Sequence, residues 1–306
     1  NDAEATGGNF NTVRIVGDGN VGIASDGYSV AYVHSHGEGN TATASGEGFS
    51  RATIIGANSN ASTFAGAGSR SKAVIIGSSS VANSVALDGS FAVARMIGSG
   101  NDILAFGQGG ARSTGLVIGT DSAASANAEG DGGFGQGARV VLFGDQNDGS
   151  AAATDSRAVV LVRGTDNNGT TAATDGGNAY ARVVGTGNTV DADAAGSGVS
   201  RAVALGTDSS AQADAVDGVA RATAGSGSTA VAAADEGWAK AAAYDSSVAS
   251  ADSLRGWSNA FADDDSAASA SAERGLASAV ATDGSAAEAT SQSGVASSSG
   301  GGSSSA

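Results

Sequence analysis

The sequence predicts an all-β fold, a parallel β-solenoid of about fourteen coils of roughly 19–21 residues around a thin Ala/Val/Ile core, and three observations carry that prediction. The first is a recurring β-branched run closed by glycine, as in Arg51-Ala52-Thr53-Ile54-Ile55-Gly56, Lys72-Ala73-Val74-Ile75-Ile76-Gly77 and Arg201-Ala202-Val203-Ala204-Leu205-Gly206. The second is a strict alternation of small residues after each turn, as in Ala211-Gln212-Ala213-Asp214-Ala215 and Ala268-Ser269-Ala270-Ser271-Ala272. The third is composition: 49 of 306 residues are Gly and none is Pro. A chain whose strands are nearly all internal cannot lose a backbone donor to proline, and its corners need the conformations only glycine adopts freely.

Taken in order, residues 1–12 read as an N-terminal cap or lead-in, 13–296 as the repeat domain and 297–306 as a flexible Ser/Gly-rich tail. Each coil holds two short strands that cannot bury their own faces, so coils must stack, with equivalent residues ~4.8 Å apart in parallel ladders. Period-two parity places the Ala column of Ala52, Ala73, Ala202 and Ala241 inward and Gln212 and Asp214 outward. The early coils, with Ile54, Ile75 and Met96, should be thicker than the Ala-lined later ones. The longest insertion falls around Gly130–Gly137. The repeat tightens toward the end, where Trp238, Trp257 and Leu276 recur every 19 residues.

Aromatics are scarce and charge is unbalanced, 31 Asp+Glu against 15 Lys+Arg for a formal net charge of −16. Such a chain repels phosphate backbones and anionic headgroups, so neither nucleic acid nor membrane insertion is expected. Without Cys there are no disulfides and no thiolate metal sites. Asn1-Asp2-Ala3-Glu4-Ala5 reads as the start of a mature chain after signal-peptide removal, which points to a secreted protein, extracellular or on the cell surface.

The outward column of the first strand is the candidate interaction site. Phe49, Val199, Val219, Trp238, Trp257, Leu276 and Val295 all follow the corner glycine and share parity with Arg201, Arg221 and Lys240. They should line up as an exposed apolar ladder beside a basic one, a patch larger than monomers normally show. No catalytic residues are read. His34 and His36 make an i, i+2 pair without a third ligand, and Gly17-Asp18-Gly19-Asn20 is a corner, since no helix follows to cradle a phosphate. The candidate weak Ca²⁺ ligands are Asp145 with Asp148 and the run Asp263-Asp264-Asp265; no other cofactor is expected.

Along Arg201-Ala202-Val203-Ala204-Leu205-Gly206-Thr207-Asp208-Ser209-Ser210-Ala211, and at Asn83-Ser84-Val85-Ala86-Leu87, the chain resembles the head repeats of trimeric autotransporter (YadA-like) adhesins, whose pattern is of the type Ser-Val-Ala-x-Gly-x-x-Ser-x-Ala. That resemblance implies a β-roll and, by the family's habit, trimers that bind host surfaces. The residues themselves lead to a structural subunit of an extracellular filament, sheath or surface layer. It would associate with itself through the apolar ladder or through open solenoid ends. The alternative is a surface-binding module of adhesin or ice-binding type with a surface or polysaccharide ligand, although the outward columns mix Gln, Asp, Asn and Ser where ice binding needs a flat array of Thr.

Overall fold

The computed structural model describes residues 2–7, 10–27, 30–47, 49–66, 70–88, 91–109, 112–129, 137–300 and 304–305, with the side chains of 26–35 and 304–305 outside that description. The chain divides into two units, Asn1–Ser156 and Arg157–Ala306. Each is a parallel β-solenoid; together they hold about fourteen turns, and no helix occurs among the described residues.

The first unit runs β1 (Asp2–Thr6), β2 (Phe10–Val16), β3 (Val21–Gly27), β4 (Val30–His36), β5 (Thr41–Gly46), β6 (Phe49–Ile55), β7 (Asn60–Ala65), β8 (Arg70–Ile76), β9 (Val81–Ala86), β10 (Phe91–Ile97), β11 (Asp102–Gly107), β12 (Arg112–Ile118), β13 (Ala123–Ala128), β14 (Gly137–Phe143) and β15 (Asp148–Thr154). The second continues with β16 (Arg157–Thr165), β17 (Asn168–Thr174), β18 (Asn178–Thr186), β19 (Thr189–Ala194), β20 (Val199–Leu205), β21 (Ser210–Ala215), β22 (Val219–Gly225), β23 (Thr229–Tyr244), β24 (Val248–Ala262), β25 (Ala267–Ala281), β26 (Ala286–Ser291), β27 (Val295–Gly300) and β28 (Ser304–Ser305). Up to β22, even-numbered strands form one face of the coil, here called A, and odd-numbered strands the other, B. Strands β23, β24 and β25 begin on B, turn the corner without a break and finish on A; then β26 and β28 lie on B and β27 on A.

Within each unit A pairs with A and B with B, always parallel, and in register as in Phe49↔Arg70↔Phe91↔Arg112 and Ala211↔Ala230↔Ala249; β3 against β5 shifts register between Ala24 and Gly27. Alternate residues enter the core, and Ala52, Ala73, Ala202, Ala241, Ala211, Ala213 and Ala215 are buried as parity requires. In the first unit Ile54, Ile75, Met96, Val117 and Leu142 follow one another in register down one inward column and are fully buried. Size is matched across the core. A Cβ on Gly149 of β15 would stand 2.8 Å from Leu142 and 3.0 Å from Val140, so glycine there makes room for the large residues opposite.

The turn after each A strand is the most regular part of the coil. Among the described residues its positive-φ position holds Gly (Gly19, Gly39, Gly100, Gly187), a short polar residue such as Asn58, Asp121, Asp166 or Asp208 at φ 51–53°, or, after β14, Gln146 at φ 55°. Its fourth residue is a buried Asn or Ser whose side-chain oxygen accepts the backbone N–H of the equivalent residue one coil earlier. Ser59 accepts from Asn40 at 3.1 Å, Ser80 from Ser59 at 3.0 Å and Asn101 from Ser80 at 3.0 Å; in the second unit Asn188 accepts from Asn167 at 2.9 Å and Ser247 from Ser228 at 3.1 Å. A continuous buried polar ladder therefore satisfies backbone donors that the strands leave over.

At the N-terminal end β1 pairs with β3 from Asp2↔Val21 to Thr6↔Ser25, and β2 begins at Phe10. At the other end β27 pairs with β25 from Leu276↔Val295 to Ala281↔Gly300. The insertion at 130–136 lies outside the described residues.

Candidate interaction surface

The exposed column after the corner glycine forms by register. On the A face of the second unit, Val199↔Val219↔Trp238↔Trp257↔Leu276↔Val295 is one continuous ladder. Trp238 is 55% exposed and Trp257 52%, and their rings stack 5.0 Å apart at 8°. The stack takes one face of each ring, and by register the Val219 row lies beyond Trp238 and the Leu276 row beyond Trp257, so the outward side of the column offers ring edges. A platform for sugars needs open ring faces; edges and aliphatic tips suit insertion between other side chains.

Beside this column Arg201↔Arg221↔Lys240 stand in register and exposed, as expected, and Arg201 lies 5.7 Å over the ring of Tyr180. Phe49, in the first unit, also points outward, but its column there alternates aromatic and basic residues, Phe49, Arg70, Phe91, Arg112, beside the basic pair Arg51↔Lys72, with Arg70 stacked 5.5 Å over Phe91. Parity also exposes a second apolar column that the sequence reading did not single out. In the first unit it is Ile55, Ile76, Ile118 and Phe143; in the second it includes Val184, Leu205 and Tyr244. The signal was the last residue of each β-branched run, which alternation puts outside whenever its neighbour is inside.

The carboxylates fall elsewhere. Asp263 and Asp264 come together with Asp283 of the next coil, and the Asp263 carboxylate accepts a hydrogen bond from the Thr282 hydroxyl. Chiefly the charge of Asp263, with desolvation second, raises the Asp264 pKa. Asp265 stands outside this group. Asp145 and Asp148 join no group of three potential ligands among the described residues. The fold assembles another trio that sequence spacing hid: Asp191 and Asp193 on β19 with Asp214 on β21, the last in register with Asp193. Desolvation, then the neighbouring carboxylates, raises both Asp191 and Asp193, the latter to about 6. His34's side chain is outside the described residues; His36 ends β4 on the A face and joins no group of three potential ligands among the described residues.

No protein-family model, curated protein or solved structure matches the chain. The β-solenoid class therefore stands on the geometry alone.

Proposed function

We propose that this chain is a secreted structural subunit of an extracellular filament, sheath or surface layer, and that it associates with itself through the outward apolar column. The observation that carries the reading is the stacked, half-exposed pair Trp238–Trp257 in line with Leu276 and Val295. Four large apolar side chains held in register on one sheet face form a pre-ordered contact that loses little side-chain entropy on docking. The likeness of Arg201–Ala211 to adhesin head repeats supports a second reading, attachment to a foreign surface, in which the same column would meet a ligand.

The test compares the parent with Trp238→Ser/Trp257→Ser by sedimentation velocity and negative-stain imaging, with far-UV circular dichroism as the control. The Ala core is untouched, so the β spectrum should persist, while association weakens by ~30-fold or more for each Trp removed, since buried aromatic anchors contribute ~2 kcal/mol each. A folded variant that assembles like the parent rejects the ladder as the interface. A parent that stays monomeric at every concentration rejects the reading, and a discrete rod that binds surfaces favours the second.

A further inference from the structure

Charge is divided between the two faces. Among the described residues no Asp or Glu occupies an A strand, and no Lys or Arg a B strand short of the corners in β24 and β25. Every Lys and Arg of the chain lies on an A strand, save Arg255 and Arg274, which stand at the corner just before one. The cations point outward, and in the first unit they crowd enough that Arg51, Arg95 and Arg70, after burial, lower the pKa of Lys72. In the second unit Arg182, Arg201 and Arg221 sit on β18, β20 and β22, and among the described residues none of the three has an ion-pair partner. The opposite face of those same coils carries Asp191, Asp193 and Asp214 on β19 and β21. Both faces also hold apolar tips: Leu205 and Trp238 on A, Val248 on B, with Phe64, Val81 and Leu104 on B in the first unit.

Resting on the self-association reading, we infer that the A face of one copy docks on the B face of a second copy, with Arg182, Arg201 and Arg221 meeting Asp191, Asp193 and Asp214. Charge complementarity selects this pairing. A-on-A contact would set arginine columns against each other, and B-on-B would do the same with carboxylates, each a repulsion costing affinity. Both faces repeat at the same ~4.8 Å coil spacing, so two copies side by side at one level bring cation rows opposite anion rows along the stack. The contact is heterologous: a docked copy still offers a free A face on one side and a free B face on the other. Such association does not close and grows into a layer or fibre rather than a dimer.

The test uses the full chain in sedimentation equilibrium across a salt series. One variant carries Arg182→Ser/Arg201→Ser/Arg221→Ser and another Asp191→Asn/Asp193→Asn/Asp214→Asn. A-on-B docking predicts that the parent's association falls with salt and that each variant loses ~10-fold or more. It also predicts that a reversed pair, Arg201→Glu/Arg221→Glu mixed with Asp193→Lys/Asp214→Lys, associates with each other where neither does alone. If the arginine variant associates more tightly than the parent, the contact is A-on-A; that overturns this inference and leaves self-association standing. No effect of either variant also overturns it. A monomeric parent overturns both readings, and if that monomer binds heparin through its arginines, the basic face serves a polyanion. Should the arginine variant lose its β circular dichroism, the aspartate variant decides.

Discussion

Asn188 shows how much one buried side chain does in this fold. Its Oδ1 accepts the Asn167 backbone N–H at 2.9 Å and the Asn167 side-chain amide at 3.0 Å, while its own Nδ2 donates to the Gly164 carbonyl at 2.8 Å, two coils' backbones tied through one residue. Ser209, one coil on, does the same with less reach: its Oγ accepts from the Asn188 N–H at 3.3 Å and donates to the Gly185 carbonyl at 3.2 Å. Asn188→Ala should therefore cost ~2–3 kcal/mol by stranding buried donors and a carbonyl, and Asn188→Ser should cost about 1 kcal/mol or less. Urea unfolding with hydrogen exchange at the Asn167 N–H checks this; equal losses for both variants would show that packing, not hydrogen bonding, sets the residue.

Glycine ladders set the corners at the scale of the element. From Gly37 to Gly206 they line the turn after the A strand, where a Cβ would fall 1.5–2.1 Å from the carbonyl oxygen of the glycine one coil earlier in the same unit. In the later coils the ladder moves to the other corner, from Gly198 through Gly218, Gly237, Gly256 and Gly275 to Gly294, with approaches of 1.8–2.0 Å. The coil shortens with it. Residues 77–80 and 87–90 join the strands of an early coil, but 245–247 and 254–256 suffice later, so each corner gives up one residue and the period falls to 19. Gly119→Ala, whose Cβ would lie 1.5 Å from the Gly98 carbonyl oxygen, should break the pairing of β12 with β10. Gly227→Ala, with nothing within 4 Å and only φ +75° against it, should cost ~1 kcal/mol. Thermal unfolding of the two variants separates them, and equal stability would contradict the close approach.

The net charge of −16 hides a molecule whose strands keep their charges on opposite faces. The Asp191–Asp193–Asp214 trio brings three like charges together on B, and it makes stability depend on pH. An acid whose folded pKa is raised holds its proton more tightly when folded. Its contribution is present below the unfolded value near 4 and is lost as pH rises through the folded value, about 6 for Asp193. Acidifying from pH 7 to pH 5 should therefore stabilise the second unit through this trio by about 1 kcal/mol, solvent screening of the exposed Asp193 having reduced the full effect. Asp193→Asn should flatten that slope in denaturant titrations. The same acidification should weaken self-association, because it neutralises the carboxylates that face the arginines; association that strengthens toward pH 5 would speak against A-on-B docking.

Strand type, inward and outward parity and the shortening of the period were readable in the linear chain, because each is a local property of alternation, glycine placement and missing proline. The outward direction of Trp238, Trp257 and Leu276 followed from the same parity. What the tertiary structure decided is which residues become neighbours across coils: the parallel stacking of Trp238 on Trp257, the meeting of Asp263 and Asp264 with Asp283, and the trio around Asp193. The buried Asn/Ser ladder belongs there too, since a serine in a glycine-rich turn looks like any solvated corner until the next coil supplies its backbone N–H. The physical reason is common to all of them. Side-chain partners in a solenoid are about twenty residues apart, and a register shift of one residue sends every one of them to the other face.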